Sequence, residues 1–229
     1  MKNFVFDLYN TLISIRTDEH SADSWHGVVR LFDEKCGIKS NPETLIRLYD
    51  ECWAKHLDEL GKTSKYTYPE GDITVVYKLM AKALGGTLSD SDAVAVAKLA
   101  REQSMRQFSV FDGTVELLKE LKSKGGKLYI LSNAQSAFTE YELGLSGITD
   151  MFDGIMLSSD YGCRKPDTAF FGFLFKKYKL SKRNTVMIGD DVTSDGKGAA
   201  DYGIKYVKAD GGAAAHSEEI LSLCGADHD

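Results

Sequence analysis

The chain has 229 residues, 43% of them hydrophobic and 27% charged, with a formal net charge of −6. That length suits one sizeable domain, or a core domain with an insertion. The acidic balance, with no stripe of Lys and Arg, excludes electrostatic support for a nucleic-acid or membrane-surface role.

The first predicted element is "NFVFD", a short apolar run without clean alternation, the pattern of a strand buried on both faces. It ends on Asp7, with Thr11 close behind. Residues 14–107 then change character. "SADSWHGVVRLFDEKCG", "PETLIRLYDECWAKHLDEL", "DITVVYKLMAKALGG" and "SDSDAVAVAKLAREQSMRQF" all carry helical periodicity, and no strand is expected among them. Beyond them the apolar runs return as "KLYILSN" (127–133), "GIMLS" (154–158), "TVMIGDD" (185–191) and "IKYV" (204–207). Between these lie the amphipathic stretches "DGTVELLKELKSKGG" and "DTAFFGFLFKKYKLS" and the short helical "DGKGAADYG". Alternating strand and helix predicts a parallel α/β sheet with right-handed crossovers. The expected architecture is a Rossmann-like parallel sheet sandwiched by helices, built from residues 1–13 and 108–229, with a helical cap of residues 14–107 inserted after the first strand. A cap placed there can fold over the carboxyl ends of the strands, where open parallel sheets bind ligands.

No apolar run approaches the roughly 20 residues needed to span a bilayer, and "MKNFVFDLYN" meets an acid too soon for a signal peptide. Cys36, Cys52, Cys163 and Cys224 are scattered, as free thiols in a reducing compartment are. A cytoplasmic, soluble protein is expected, without nucleic-acid or membrane partners.

Four strand ends carry polar groups: Asp7 and Thr11; Ser132 and Asn133; Lys165 in the loop "CRKPDTAFF"; and Asp190, Asp191 and Asp195. In a parallel sheet these ends share one edge. A carboxylate there can attack phosphorus and form an acyl phosphate, dividing one hard displacement into two easier ones. Anion attacking anion requires cations. Mg²⁺ held by Asp7, an acid of the fourth strand end and a backbone carbonyl meets that need, and Lys165 adds a fixed positive charge. Ser132, Asn133 and the free N–H groups of the first loop can donate to phosphoryl oxygens.

The four segments "FDLYNTL", "ILSNA", "RKPD" and "IGDDVTSD", in this order, resemble the signatures of the haloacid dehalogenase-like hydrolase superfamily. The resemblance covers essentially the whole chain, including a helical cap after the first signature. It implies Asp7 as nucleophile, Ser132 as the phosphate-binding hydroxyl, Lys165 as the charge-neutralising lysine and Asp190 as a direct metal ligand; Thr11 is a further candidate to bind phosphate. It implies Asp195 as the acid that orients metal waters or Lys165, with Asp191 a weaker candidate for metal contact. Its expected chemistry is Mg²⁺-dependent hydrolysis of a small phosphorylated metabolite through an aspartyl phosphate.

One position departs from that pattern. Most phosphatases of the superfamily carry a second Asp two residues after the nucleophile, which protonates the leaving group and then activates water. Here Tyr9 stands in its place, and a phenol with an ordinary pKa of about 10 is a poor base at neutral pH. The backbone carbonyl of residue 9 can still serve as the metal ligand that this position supplies in the family. Tyr9 also resembles the tyrosine of the 2-haloacid dehalogenase branch (D-x-Y-G-T), which attacks carbon without metal. That branch carries serine and asparagine in the fourth signature, where this chain has Gly189, Asp190 and Asp191. It also has a tyrosine six residues after the lysine, where this chain has Phe171. The alternatives to a phosphatase are therefore a dehalogenase-type hydrolase, or a weakened relative that binds a phosphometabolite or a protein partner. In the cap, Arg16, His20, Trp25, His26 and Arg30 are candidates to face substrate.

Overall fold

The computed structural model describes residues 2–224. Strand β1 (Asn3–Phe6) lies at the centre of a five-stranded sheet with β4 (Lys127–Ser132), β5 (Gly154–Leu157), β6 (Thr185–Gly189) and β7 (Lys205–Lys208), in the order β5-β4-β1-β6-β7. Every pairing in it is parallel. Phe6 is in register with Ile130 on one side and Ile188 on the other, so the carboxyl ends of β1, β4 and β6 emerge side by side. The chain runs outward from β1 through β4 to β5 and then crosses to β6 on the other flank. That reversal makes the end of β1 the topological switch point where such sheets take ligands.

The sheet is buried on both faces, as its unalternating runs predict. Phe4, Phe6, Leu128, Ile130, Val186 and Ile188 pack on one face with α5 (Thr114–Ser123) and α9 (Ser217–Ser222). Val5, Tyr129, Leu131 and Met187 pack on the other with α7 (Thr168–Tyr178) and α8 (Lys197–Tyr202).

The helical block consists of α1 (His26–Cys36), α2 (Pro42–Thr63), α3 (Ile73–Ala83) and α4 (Asp90–Ser104), around an apolar cluster of its own. Its helices start where the sequence supplies caps. Asn41, Asp72 and Ser89 each accept a backbone N–H in the first turn, and Pro42 occupies the first position of α2. The core helix α6 (Ser136–Ser146) contributes Phe138 to this cluster, so the block rests on α6.

One expectation is corrected. The stretch 14–107 is not purely helical: β2 (Ile13–Thr17) and β3 (Met105–Val110) form an antiparallel ribbon that brackets the helices. The periodicity of "AREQSMRQF" continues past the point where α4 stops at Ser104. Residues 105–110 become a strand because β2, some 90 positions earlier, offers a ladder partner. Helix α6 was also not among the expected elements; its weak amphipathicity follows from a buried acid, Glu142, on its inner face. Among the described residues no helix is long and apolar enough to cross a membrane.

Candidate active site

Asp7 follows β1 directly. Its N–H donates to the Ile188 carbonyl at 2.8 Å, carrying the β1–β6 ladder one residue further and fixing the carboxylate at the sheet edge. The chain then turns back within a few residues. Asn10 takes the left-handed conformation at φ 60°, which Asn tolerates better than most residues. The Leu12 N–H donates to the Leu8 carbonyl at 2.8 Å, and both side chains are fully buried, pinning the loop to the core.

Around Asp7 the other strand ends converge. The Lys165 ammonium, buried, hydrogen-bonds Asp7 Oδ1 at 2.6 Å and lies 2.6 Å from Asp195 Oδ1. Asp195 Oδ1 is thus held by the same buried ammonium as Asp7. Burial opposes the Lys165 charge, but Asp195 and Asp7 more than offset it and raise its pKa. Asp195 is itself pushed up to about 6, by burial first and by the Asp7 charge, against the pull of Lys165. Asp190 is raised by burial and then by Asp7. One oxygen from each of Asp7, Asp190 and Asp195 lies within 4.8 Å of the others. Gly189 makes room for this: a Cβ there would stand 2.1 Å from Asp195 Oδ2. The chain reaches Asp195 through a π-helical turn, Val192–Gly196.

Three acids facing one buried ammonium form a site with excess negative charge, built from hard oxygen donors. That donor set fits a divalent cation of the Mg²⁺ type.

The structure assigns different partners to several of the predicted residues. Ser132 ends β4 at the same edge, buried. Thr11, expected on phosphate, is fully buried and holds Asp190: its hydroxyl accepts the Asp190 N–H at 3.1 Å and donates to Asp190 Oδ1 at 3.3 Å. The Asn133 amide, also expected on phosphate, grips the Lys165 backbone at both ends, accepting its N–H at 2.8 Å and donating to its carbonyl at 3.0 Å. Asp191 is exposed and caps the following turn through Thr193, apart from the acid cluster.

The Tyr9 hydroxyl is engaged by helix α6. It donates to Glu142 Oε2 and lies 2.9 Å from the Thr139 hydroxyl, both on α6. Glu142 is fully buried and accepts from Arg101 of α4 at 2.6 Å. The Arg101 guanidinium also stacks over the Tyr9 ring, 5.4 Å from its centroid. Burial and the Glu142 charge push the Tyr9 phenol far above its ordinary pKa, so it stays protonated and cannot act as a base.

Glu142, Thr139 and Arg101 are absent from the sequence-predicted set. The available signal is Glu142 within the stripe Phe138, Thr139, Glu142, Leu143, which turns one helix face inward. A second link joins block and core at Glu70, which accepts from the Ser158 hydroxyl at 2.6 Å and is raised by its burial. Next to it the Arg164 N–H donates to the Tyr68 carbonyl at 3.0 Å, tying the helical block to the loop that carries Lys165. Of the five candidates in the cap, only Trp25 is buried; Arg16, His20, His26 and Arg30 are exposed.

Comparison with known proteins gives the same architecture. The haloacid dehalogenase-like hydrolase family model matches residues 1–203. The glyceraldehyde 3-phosphate phosphatase of Methanocaldococcus jannaschii is 33% identical over 95 residues, a match spanning only 42% of the length of each chain. The pyrimidine 5'-nucleotidase PynA of Streptococcus pneumoniae is 30% identical over 209 residues, covering 90% of this chain and 82% of that one. Among solved structures, a HAD family enzyme of Bacteroides thetaiotaomicron in complex with magnesium and inorganic phosphate superimposes with a TM-score of 0.59. It covers 91% of this chain and 93% of that one at 17% identity, a likeness of fold alone.

Proposed function

Since the chain belongs to the haloacid dehalogenase-like hydrolases, we propose that it is a Mg²⁺-dependent phosphatase that hydrolyses a small phosphate monoester through an aspartyl phosphate on Asp7. The observation that carries this reading is the acid cluster: three carboxylates within 4.8 Å of one another, faced by one buried lysine. An attack on carbon by an uncompensated cluster of acids would repel a haloacid carboxylate, whereas a cation bound there turns the same acids into an asset. The relatives point the same way, since glyceraldehyde 3-phosphate phosphatase and pyrimidine 5'-nucleotidase are both phosphate-ester hydrolases.

In this reading Asp7, Asp190 and the Tyr9 backbone carbonyl would hold the metal, with Asp195 beside them. Bound there, Mg²⁺ supplies positive charge against the phosphoryl oxygens. Asp7 attacks phosphorus, the bond to the leaving oxygen breaks, and the phosphoryl group passes to Asp7. Lys165 keeps Asp7 aligned and offsets charge on the transferring group. Ser132 donates to a phosphoryl oxygen, Asn133 fixes Lys165, and Thr11 fixes Asp190. Water then attacks phosphorus, releasing phosphate and regenerating Asp7. With the Tyr9 hydroxyl committed to Glu142, the leaving alkoxide takes its proton from water. Residues 14–107 act as the cap and residues 1–13 and 108–229 as the catalytic core.

The test is phosphate release from p-nitrophenyl phosphate, whose leaving group needs no proton donor. Activity should require Mg²⁺ and fall roughly a thousandfold in Asp7→Asn, about 4 kcal/mol of barrier. Full activity in Asp7→Asn, or in the presence of a chelator, would reject the reading.

A further inference from the structure

The connection between α2 and α3 is laid on the core as a strap. Within it Pro69 bridges Cys163 in the antiparallel sense. On either side of that bridge the Arg164 N–H donates to the Tyr68 carbonyl at 3.0 Å, and the Glu70 N–H donates to the Gly162 carbonyl at 3.1 Å. Pro69 fits between them because neither bond uses its own nitrogen. The Tyr68 N–H donates to the Asp167 carboxylate at 3.1 Å, and the same carboxylate caps α7. The strap thus holds Lys165 from both sides, through Arg164 before it and Asp167 two residues after it.

A second line of bonds runs through the Glu70 side chain. Its carboxylate accepts the Ser158 hydroxyl at 2.6 Å on one oxygen and the Gln135 amide at 3.4 Å on the other. Ser158, fully buried, in turn accepts the Ala134 N–H at 2.9 Å. Gln135 accepts the Ile73 N–H at 2.9 Å and donates to the Gly71 carbonyl at 2.8 Å. Ala134 and Gln135 directly follow Ser132 and Asn133, and Asn133 grips the Lys165 backbone. The contacts therefore close into a ring. It runs from the strap to Arg164 and Lys165, on to Asn133 and Ala134, and back through Ser158 to Glu70. Burial opposes the Glu70 charge, with the Ser158 hydroxyl and the Arg164 charge working against that penalty. A carboxylate there costs free energy that its hydrogen bonds must return.

Resting on the phosphatase reading above, we infer that Glu70 is a positioning residue of the reaction: by holding Ser158 and Gln135 it registers the strap of the helical block against the loops that carry Ser132 and Lys165. The helical block then takes part in placing the ammonium that faces Asp7. Glu70 acts through those loops rather than on the reacting atoms. Small displacements matter here, because charge stabilises a transition state only where it is held in place.

Glu70→Ala, Glu70→Gln and Ser158→Ala test this in the full chain, with p-nitrophenyl phosphate and Mg²⁺. Glu70→Ala should lower kcat about tenfold and leave KM within about twofold. Glu70→Gln keeps an acceptor oxygen for the Ser158 hydroxyl and should recover most of that loss. Ser158→Ala should match Glu70→Ala, and the double variant should be no worse than either, since both cut the same ring. Amide hydrogen exchange reads the contact without any chemistry at Asp7. Residues 160–168 should exchange roughly threefold faster in Glu70→Ala and near the wild-type rate in Glu70→Gln. Wild-type kcat in Glu70→Ala would overturn the inference. So would equal losses in the Ala and Gln variants, which would make charge rather than placement the active property. A loss confined to KM would also overturn it, by putting Glu70 on the substrate. Faster exchange in Glu70→Ala with no phosphate released by wild type would instead keep the strap's hold on the loop and reject the phosphatase reading.

Discussion

Two buried charge clusters lie a few residues apart along the first loop, and they are built on opposite principles. At Asp7 three carboxylates share one ammonium, and two of the acids are raised above their ordinary pKa. At Tyr9 the buried carboxylate of Glu142 has a guanidinium and a phenol, the phenol also meets the Thr139 hydroxyl, and the aromatic ring covers the cation. The first arrangement carries excess negative charge over its one ammonium. The second is complete and joins α4 of the helical block to α6 of the core. Local satisfaction of charge, more than residue type, separates a site from a clasp.

The largest effect should come from breaking the complete cluster. Arg101→Met leaves Glu142 buried without its cation and should cost about 3–5 kcal/mol. For a chain of this size that is a fall in Tm of roughly 10 °C. Adding Glu142→Leu should recover most of it, because removing both charges also removes the desolvation penalty. Urea melts of the two variants measure this, and a single variant within about 0.5 kcal/mol of wild type would mean the clasp carries no load.

The incomplete cluster should respond to pH in a definite direction. Asp195 titrates near 6 in the folded chain against about 3.9 when unfolded. Between those values the native state holds more protons. In chelator, its contribution to stability is therefore full below about pH 4 and is lost as the pH rises through about 6. Asp195→Asn should flatten that slope in thermal melts across the window. Mg²⁺ competes with the same proton, so it should stabilise wild type more above pH 6 than below. A slope unchanged by Asp195→Asn would assign it to another group.

The smallest effect is the sharpest contrast. Asp190→Asn removes one like charge from a half-buried site, so in chelator it should raise stability by up to about 1 kcal/mol while abolishing Mg²⁺-dependent phosphate release. Neutralising Glu142 has no such compensation. A variant that melts below wild type would show that the acids at the sheet edge are already balanced.

Much of this was legible in the sequence because it depends on local rules. Runs buried on both faces announce parallel strands, and in a parallel sheet the residues after each run must share one edge. Asp7, Ser132, Lys165, Asp190 and Asp195 could be gathered there from order alone. The ribbon of β2 and β3 escaped, since a half-buried strand is defined by a partner about 90 residues away. The partners of Thr11 and Asn133 escaped for the same reason. Their hydrogen-bond partners, Asp190 and Lys165, sit on other strand ends, and a free hydroxyl and a committed one look alike in sequence.

Tyr9 marks the boundary most clearly. From the sequence alone, the absence of a second acid after Asp7 was determined, and with it the loss of the usual proton donor. Where the phenol went was decided only by tertiary structure, because Glu142 lies 133 residues further along the chain and Arg101 on a helix of the inserted block. Local propensity and burial write the strands and their polar ends into the sequence; the pairing of distant side chains is settled when the helices close on one another.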